Sequence, residues 1–219
     1  MYLGTEFHRY WARCGHRDIH PDDANYLAVG SSPFNHKLLP CPFDGPLDKA
    51  KVVICLANPS DGYTAETGEV NGLALEMRSG EEPLPSMFES YYEKKIATPI
   101  GIPLKELRSR VAVLNVCPYW SKRMPDPAMR TATALPSVWQ AQKYLREVLI
   151  PRAQTGNIYL ILIRKLQLWG VTEGVEEQGC YRVIPNLAIG GVMPKGLGKE
   201  IQKWLVKKGH ITNLSWCES

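Results

Sequence analysis

Three short segments carry polar residues of a kind that do chemistry, each directly after an apolar run. LANPSDGY (residues 56–63) brings Asn58 and Asp61, LNVCPYWS (114–121) brings Asn115, and RVIPNLAIGG (182–191) brings Asn186 and a glycine pair. A side-chain amide offers one acceptor oxygen and a pair of donor hydrogens, which suits reading the edge of a planar ligand or holding a water molecule. The carboxylate of Asp61 offers a general base, or a negative charge for a cation that develops during reaction. Loops that leave a buried strand are held rigidly, so these groups are expected to converge on one crevice. The same residues also suit plainer work: Asn58 starting a turn, Asp61 capping a helix or opening an Asp-Gly turn, and Asn115 satisfying a local backbone group.

The elements that must position them are legible as apolar runs. Residues 51–57, 110–117, 157–164 and 180–185 each read as a strand stopped by Pro, Asn or a basic pair, with helical patterns at 136–149 and 197–208. Near-continuous β-branched runs alternating with helices predict an α/β fold, a single domain with a mostly parallel, four-stranded sheet whose site lies at the strands' C-terminal ends. Residues 1–45, rich in Pro, Gly, Asn and Asp, read as an arm or cap packed on a domain of residues 46–219, with a short helix near Glu6 to Arg13.

Composition narrows the class further. The chain has 219 residues, 26 Lys plus Arg against 22 Asp plus Glu, and 44% apolar residues, which excludes collagen-like and disordered chains. The net charge of +4 permits a nucleic-acid partner without demanding one. The longest apolar run, Ile158 to Ile163, is far short of the ~20 residues that cross a bilayer, so no membrane association is expected. The N-terminus lacks the pattern of a secretory signal, and the expected compartment is the cytoplasm. The six cysteines include no CxxC pair, so neither a metal nor an iron-sulfur cluster is expected.

In order and strand context, two of the polar segments resemble motifs of the uracil-DNA glycosylase superfamily. LeuAlaAsnProSer (56–60) has the form of that family's first motif, an Asp or Asn followed by Pro at the end of the first strand. The resemblance puts Asn58 in the catalytic position, with Ala57, Pro59 and Ser60 at the base pocket. AsnValCysPro (115–118) matches the single-strand-selective monofunctional branch, which places an Asn before a CysPro pair, and it makes Asn115 the reader of the base. The third motif usually begins HisPro; here IleProAsn (184–186) keeps Pro185 and puts Ile184 where the histidine belongs.

The resemblance covers about residues 46–205 and implies a DNA glycosylase that extrudes a base, hydrolyses its N-glycosidic bond and leaves an abasic site without a cofactor. Asp61 is the supplementary carboxylate in this reading. Tyr63 directly follows the first motif and Leu75 lies nearer the family's spacing for a stacking aromatic, so both are pocket candidates. Ser60 stands where the uracil-specific branch has a bulky Tyr, which points to a modified pyrimidine, in base-excision repair or in defence against phage carrying glucosylated hydroxymethylcytosine.

The expected partner is DNA holding a modified or damaged base, met by a monomer. Asn186 and the backbone of Gly190 and Gly191 are candidate donors to the departing base, and Met193 is a candidate wedge at the tip of the same loop. Lys195, Lys122 and Arg123 are candidate phosphate contacts. Lys195, Lys199, Lys203 and Lys207 recur every four residues, a basic stripe that follows a phosphate backbone or simply a solvated helix face. Two other readings stay open: a catalytically silent relative that binds DNA or protein, and an enzyme that binds a small nucleoside.

Overall fold

A computed structural model describes residues 3–27, 32–60, 89, 91–122, 124–171, 179–184 and 193–211. In chain order these form α1 (Leu3–Ala12), β1 (Phe43–Asp44), β2 (Val52–Leu56), α2 (Thr98–Ile100), α3 (Leu104–Leu107), β3 (Val111–Asn115), α4 (Asp126–Ala134), α5 (Pro136–Tyr144), α6 (Ile150–Gln154), β4 (Tyr159–Ile163), α7 (Leu166–Trp169), β5 (Tyr181–Ile184) and α8 (Lys195–Lys207). None of the described helices is long and apolar enough to cross a membrane. Packing divides the chain into a first unit, Met1–Pro83 with Arg108–Asn186, and a second, Leu84–Leu107 with Leu187–Ser219.

The first unit is an α/β structure around one sheet, in the order β1-β3-β2-β4-β5. β2 pairs in parallel with β3 and β4, and β4 pairs in parallel with β5. The continuous Val, Ile and Leu content of β2, β3 and β4 follows from their position: β3 and β4 are buried throughout, and β2 up to its last residue. The sheet has five strands where the sequence suggests four. The additional β1 pairs antiparallel to β3, Phe43 opposite Leu114 and Asp44 opposite Val113. Two residues between Pro42 and Gly45 are too few to show a period, and β1 exists through its partner rather than through its own pattern. Gly45, at φ 88°, lets this corner close, since a Cβ there would meet the carbonyl oxygen of Val111. Asp44 and Arg108 then form a buried ion pair at 2.6 Å beneath it.

The helical run from 136 to 154 shows how the chain absorbs a proline. Pro151 has no N–H and its ring crowds the carbonyl four residues back; the turn before it, Leu145–Leu149, widens to a π-helix. The same device precedes Pro99, where the π-helical turn Glu93–Ala97 runs into α2.

From the N-terminal 45 residues, Phe7, Tyr10, Trp11, Cys14, Leu27, Phe34 and Phe43 are buried in the first unit's core. Phe7 of α1 stacks on Tyr144 of α5 at 4.7 Å between ring centroids, and Trp11 is buried beside His20. In the second unit, α8 packs on α2 through Gly198, whose missing side chain admits the backbone of Pro99. Ile201 and Leu205 of α8 are buried, while Lys199, Lys203 and Lys207 are exposed.

Candidate functional site

Because β3 and β4 lie on opposite sides of β2, the chain switches direction across the sheet at β2. Crevices outside the carboxyl ends of parallel strands at such a switch are where α/β folds bind ligands. Asn58 follows β2 there, and Asn115 is the last residue of β3, one strand over, with Leu56 as its register partner. The two loops are laced together beyond the strands: Val116 N–H donates to the Leu56 carbonyl at 3.0 Å, Cys117 N–H to Ala57 at 2.9 Å and Ser121 N–H to Pro59 at 3.2 Å. The sequence-predicted Asn58, Ala57, Pro59 and Asn115 are thus in one place, with Ser60 exposed at the rim.

The side chains of the two asparagines have a common arrangement. Nδ2 of Asn58 donates to the carbonyl of Pro59 at 2.8 Å, to the carbonyl and Oγ of Ser121 at 3.0 Å each, and toward the Tyr119 carbonyl at 3.5 Å. Carbonyl oxygens only accept, so the orientation of the amide is forced, and among the described residues its Oδ1 receives no hydrogen bond. Asn115 is 4% exposed; its Nδ2 donates to the Cys41 carbonyl at 2.9 Å, and among the described residues its buried Oδ1 has no hydrogen-bond partner. A buried carbonyl oxygen left bare costs about 1–3 kcal/mol, which a ligand N–H would recover.

The segment that fixes Asn115 comes from the N-terminal 45 residues. Besides the Cys41 carbonyl, the Pro42 carbonyl accepts from Asn115 N–H at 2.8 Å, and Cys41 N–H donates to Pro118 at 2.9 Å. Trp120 is buried, with its indole N–H donating to the Leu39 carbonyl at 2.7 Å. Tyr119 donates its hydroxyl to the wholly buried Asp23 at 2.6 Å and accepts from His20 N–H at 3.1 Å. Burial, reinforced by the Asp23 charge, pushes the Tyr119 hydroxyl far above the usual phenol range. Burial also raises the thiols of Cys55 and Cys117, which marks them as packing residues and not as nucleophiles.

Backbone strain gathers at the same edge. The non-glycine residues of positive φ among those described are Met124 (45°), Arg164 (59°) and Lys165 (46°). Met124 closes the loop after β3, where its sulfur accepts from Ser121 Oγ at 3.7 Å, and Arg164 with Lys165 follows β4. Residues held in this region of φ and ψ concentrate at working sites.

Of the other candidates, Lys122 is exposed in the first unit, Met193 is buried, and Lys195 opens α8. Asp61, Tyr63, Leu75, Arg123, Pro185, Asn186, Gly190 and Gly191 lie outside the described residues. Ile184, at the end of β5, is half-buried. Sequence reasoning assigns no role at this site to Ser121, Cys41 or Asp23. The signal for Ser121 was present: a serine directly after an aromatic pair that leaves a buried strand must itself be bonded. Comparison with protein-family models, with curated proteins and with solved structures finds no match to this chain.

Proposed function

We propose that this chain is a monofunctional DNA glycosylase acting on an extruded modified pyrimidine. The observation that carries the reading is the pair Asn58 and Asn115, on adjacent strand ends, each donating its NH2 to protein carbonyls and, among the described residues, receiving no hydrogen bond at its carbonyl oxygen. Asn115 holds a buried acceptor, the kind of group whose satisfaction by a base N–H would discriminate strongly between ligands. Asn58 presents an acceptor to a water hydrogen and so holds the water with a lone pair free.

The water oxygen bonds to C1′ of the sugar while the C1′–N bond breaks, its electron pair leaving on the base nitrogen. The water proton passes to a carboxylate, for which Asp61 is the candidate, or to the departing base. Ile184 cannot donate to that base, so the donors are sought in Asn186, Gly190 and Gly191. Lys122 and Arg123 are the phosphate contacts proposed for the first unit, and the exposed Lys199, Lys203 and Lys207 give α8 of the second unit a basic face of its own. The role is base-excision repair or defence against phage with glucosylated cytosines; Ser60, small and exposed, favours the bulkier base.

The test incubates the protein with duplexes containing uracil or 5-hydroxymethyluracil, with unmodified DNA, and with genomic DNA bearing glucosylated cytosine, then scores abasic sites by alkaline cleavage. Excision of one modified base is expected. DNA binding without abasic sites on any substrate would support the silent relative, and activity on free nucleosides the small-molecule enzyme.

A further inference from the structure

The polar surroundings of Asn58 go beyond holding an amide in place. The carbonyl oxygens of Pro59 and Ser121 and Oγ of Ser121 lie within 3.0 Å of its Nδ2, and the Tyr119 carbonyl at 3.5 Å. Every backbone group in this set is an acceptor. Turning the amide over, or replacing it with a carboxylate, sets oxygen lone pairs against oxygen lone pairs.

Ser121 is the residue that closes the set. It is 3% exposed, contributes both its carbonyl and its hydroxyl to Asn58, and directs the hydroxyl hydrogen away, to the sulfur of Met124. Met124, whose φ is 45°, supplies that sulfur from three residues further along the chain. The hydroxyl is therefore also an acceptor toward position 58.

We infer that this loop is built to hold an amide and to reject a carboxylate at position 58, and that Ser121 is the positioning residue that fixes the amide's direction. The catalytic meaning of this rests on the glycosylase reading; the cage itself does not. In that reading residue 58 orients water and takes no proton, so the demand falls on a carboxylate elsewhere and on a base that leaves readily.

The experiment uses Asn58→Asp, Ser121→Ala and Ser121→Thr in the full chain, each checked for folding by circular dichroism. In Asn58→Asp, carboxyl-carbon NMR follows the titration of the new side chain. It is expected to hold its proton at least about 10-fold more tightly than a free aspartate, whose pKa is ~3.9. If that variant is too unstable at pH 7, its unfolding midpoint is compared at pH 5 and pH 7. A side chain that prefers its protonated form in the folded state gains stability on acidification, so recovery at pH 5 is the expected result. An ordinary or lowered titration, or equal destabilisation at both pH values, overturns the inference.

Ser121→Ala is expected to lower kcat about 10-fold with KM unchanged, while Ser121→Thr, which keeps the hydroxyl, stays within about 3-fold of the parent. Full kcat in Ser121→Ala overturns the positioning role. Absence of excision by the unaltered protein counts against the glycosylase reading alone, because the titration still decides the cage.

Discussion

Tyr119 gives its hydroxyl hydrogen to Asp23, 96 residues away in sequence, at 2.6 Å, and the other carboxylate oxygen of Asp23 accepts from the backbone N–H of Ser137 at 3.0 Å. One buried carboxylate thus ties a short turn of the N-terminal region to the loop after β3 and to the first turn of α5. The N–H groups there have no partner within the helix, and a negative charge suits them. Through the backbone of Tyr119 and Ser121, the same link steadies the site around Asn58.

Removing that acceptor leaves a hydroxyl and an amide N–H buried without partners. Asp23→Ala is expected to destabilise the protein by about 3 kcal/mol, and Tyr119→Phe by about 1–2 kcal/mol. The double variant should lose less than the sum of the two, because both remove the same bond. Urea unfolding of the four proteins measures this; additive losses would show that the bond is not shared in this way.

The second unit offers a comparison between neighbouring glycines of α8. A Cβ on Gly198 would run into the backbone of Pro99, whereas one on Gly196 meets nothing within 4 Å. Gly198→Ala is expected to destabilise by about 2–3 kcal/mol, since backbone cannot repack as a side chain can. Gly196→Ala is expected to stabilise by about 0.5–1 kcal/mol through helix propensity and a less free unfolded chain. Thermal unfolding distinguishes them, and a loss of stability in Gly196→Ala would contradict the packing described.

Much of this was readable from sequence, and the reasons are physical. Runs such as VVICL and YLILI show themselves because a strand covered on both faces has to be apolar at every position, and the prolines and asparagines that stop the first two runs of the chain mark the carboxyl edge of the sheet. The positions of Asn58 and Asn115 followed from that edge. β1, Asp23, Cys41 and Ser121 did not follow, because their roles depend on partners far along the chain. Cys41 acts through its backbone carbonyl, which no residue type announces. The positive φ of Arg164 and Lys165 was equally silent, since neither residue is one that favours it.

That strain has a measurable signature. A left-handed conformation costs an L-residue about 1–2 kcal/mol, part of which glycine's larger unfolded-state entropy offsets. Lys165→Gly is accordingly expected to raise stability by about 0.5–1 kcal/mol in urea unfolding. A clear loss would show that the lysine side chain does more for the fold than its backbone costs.

The central claim is that Asn58 holds the water that cleaves a glycosidic bond. The measurement that tests it most directly is single-turnover base release, with the protein in excess over the best of the modified duplexes, comparing the unaltered chain with Asn58→Ala. The expected result is an abasic product whose formation slows by about 100-fold in Asn58→Ala while DNA affinity is kept. Equal rates in the two folded proteins, or no released base from the unaltered chain on any modified duplex, would contradict the claim.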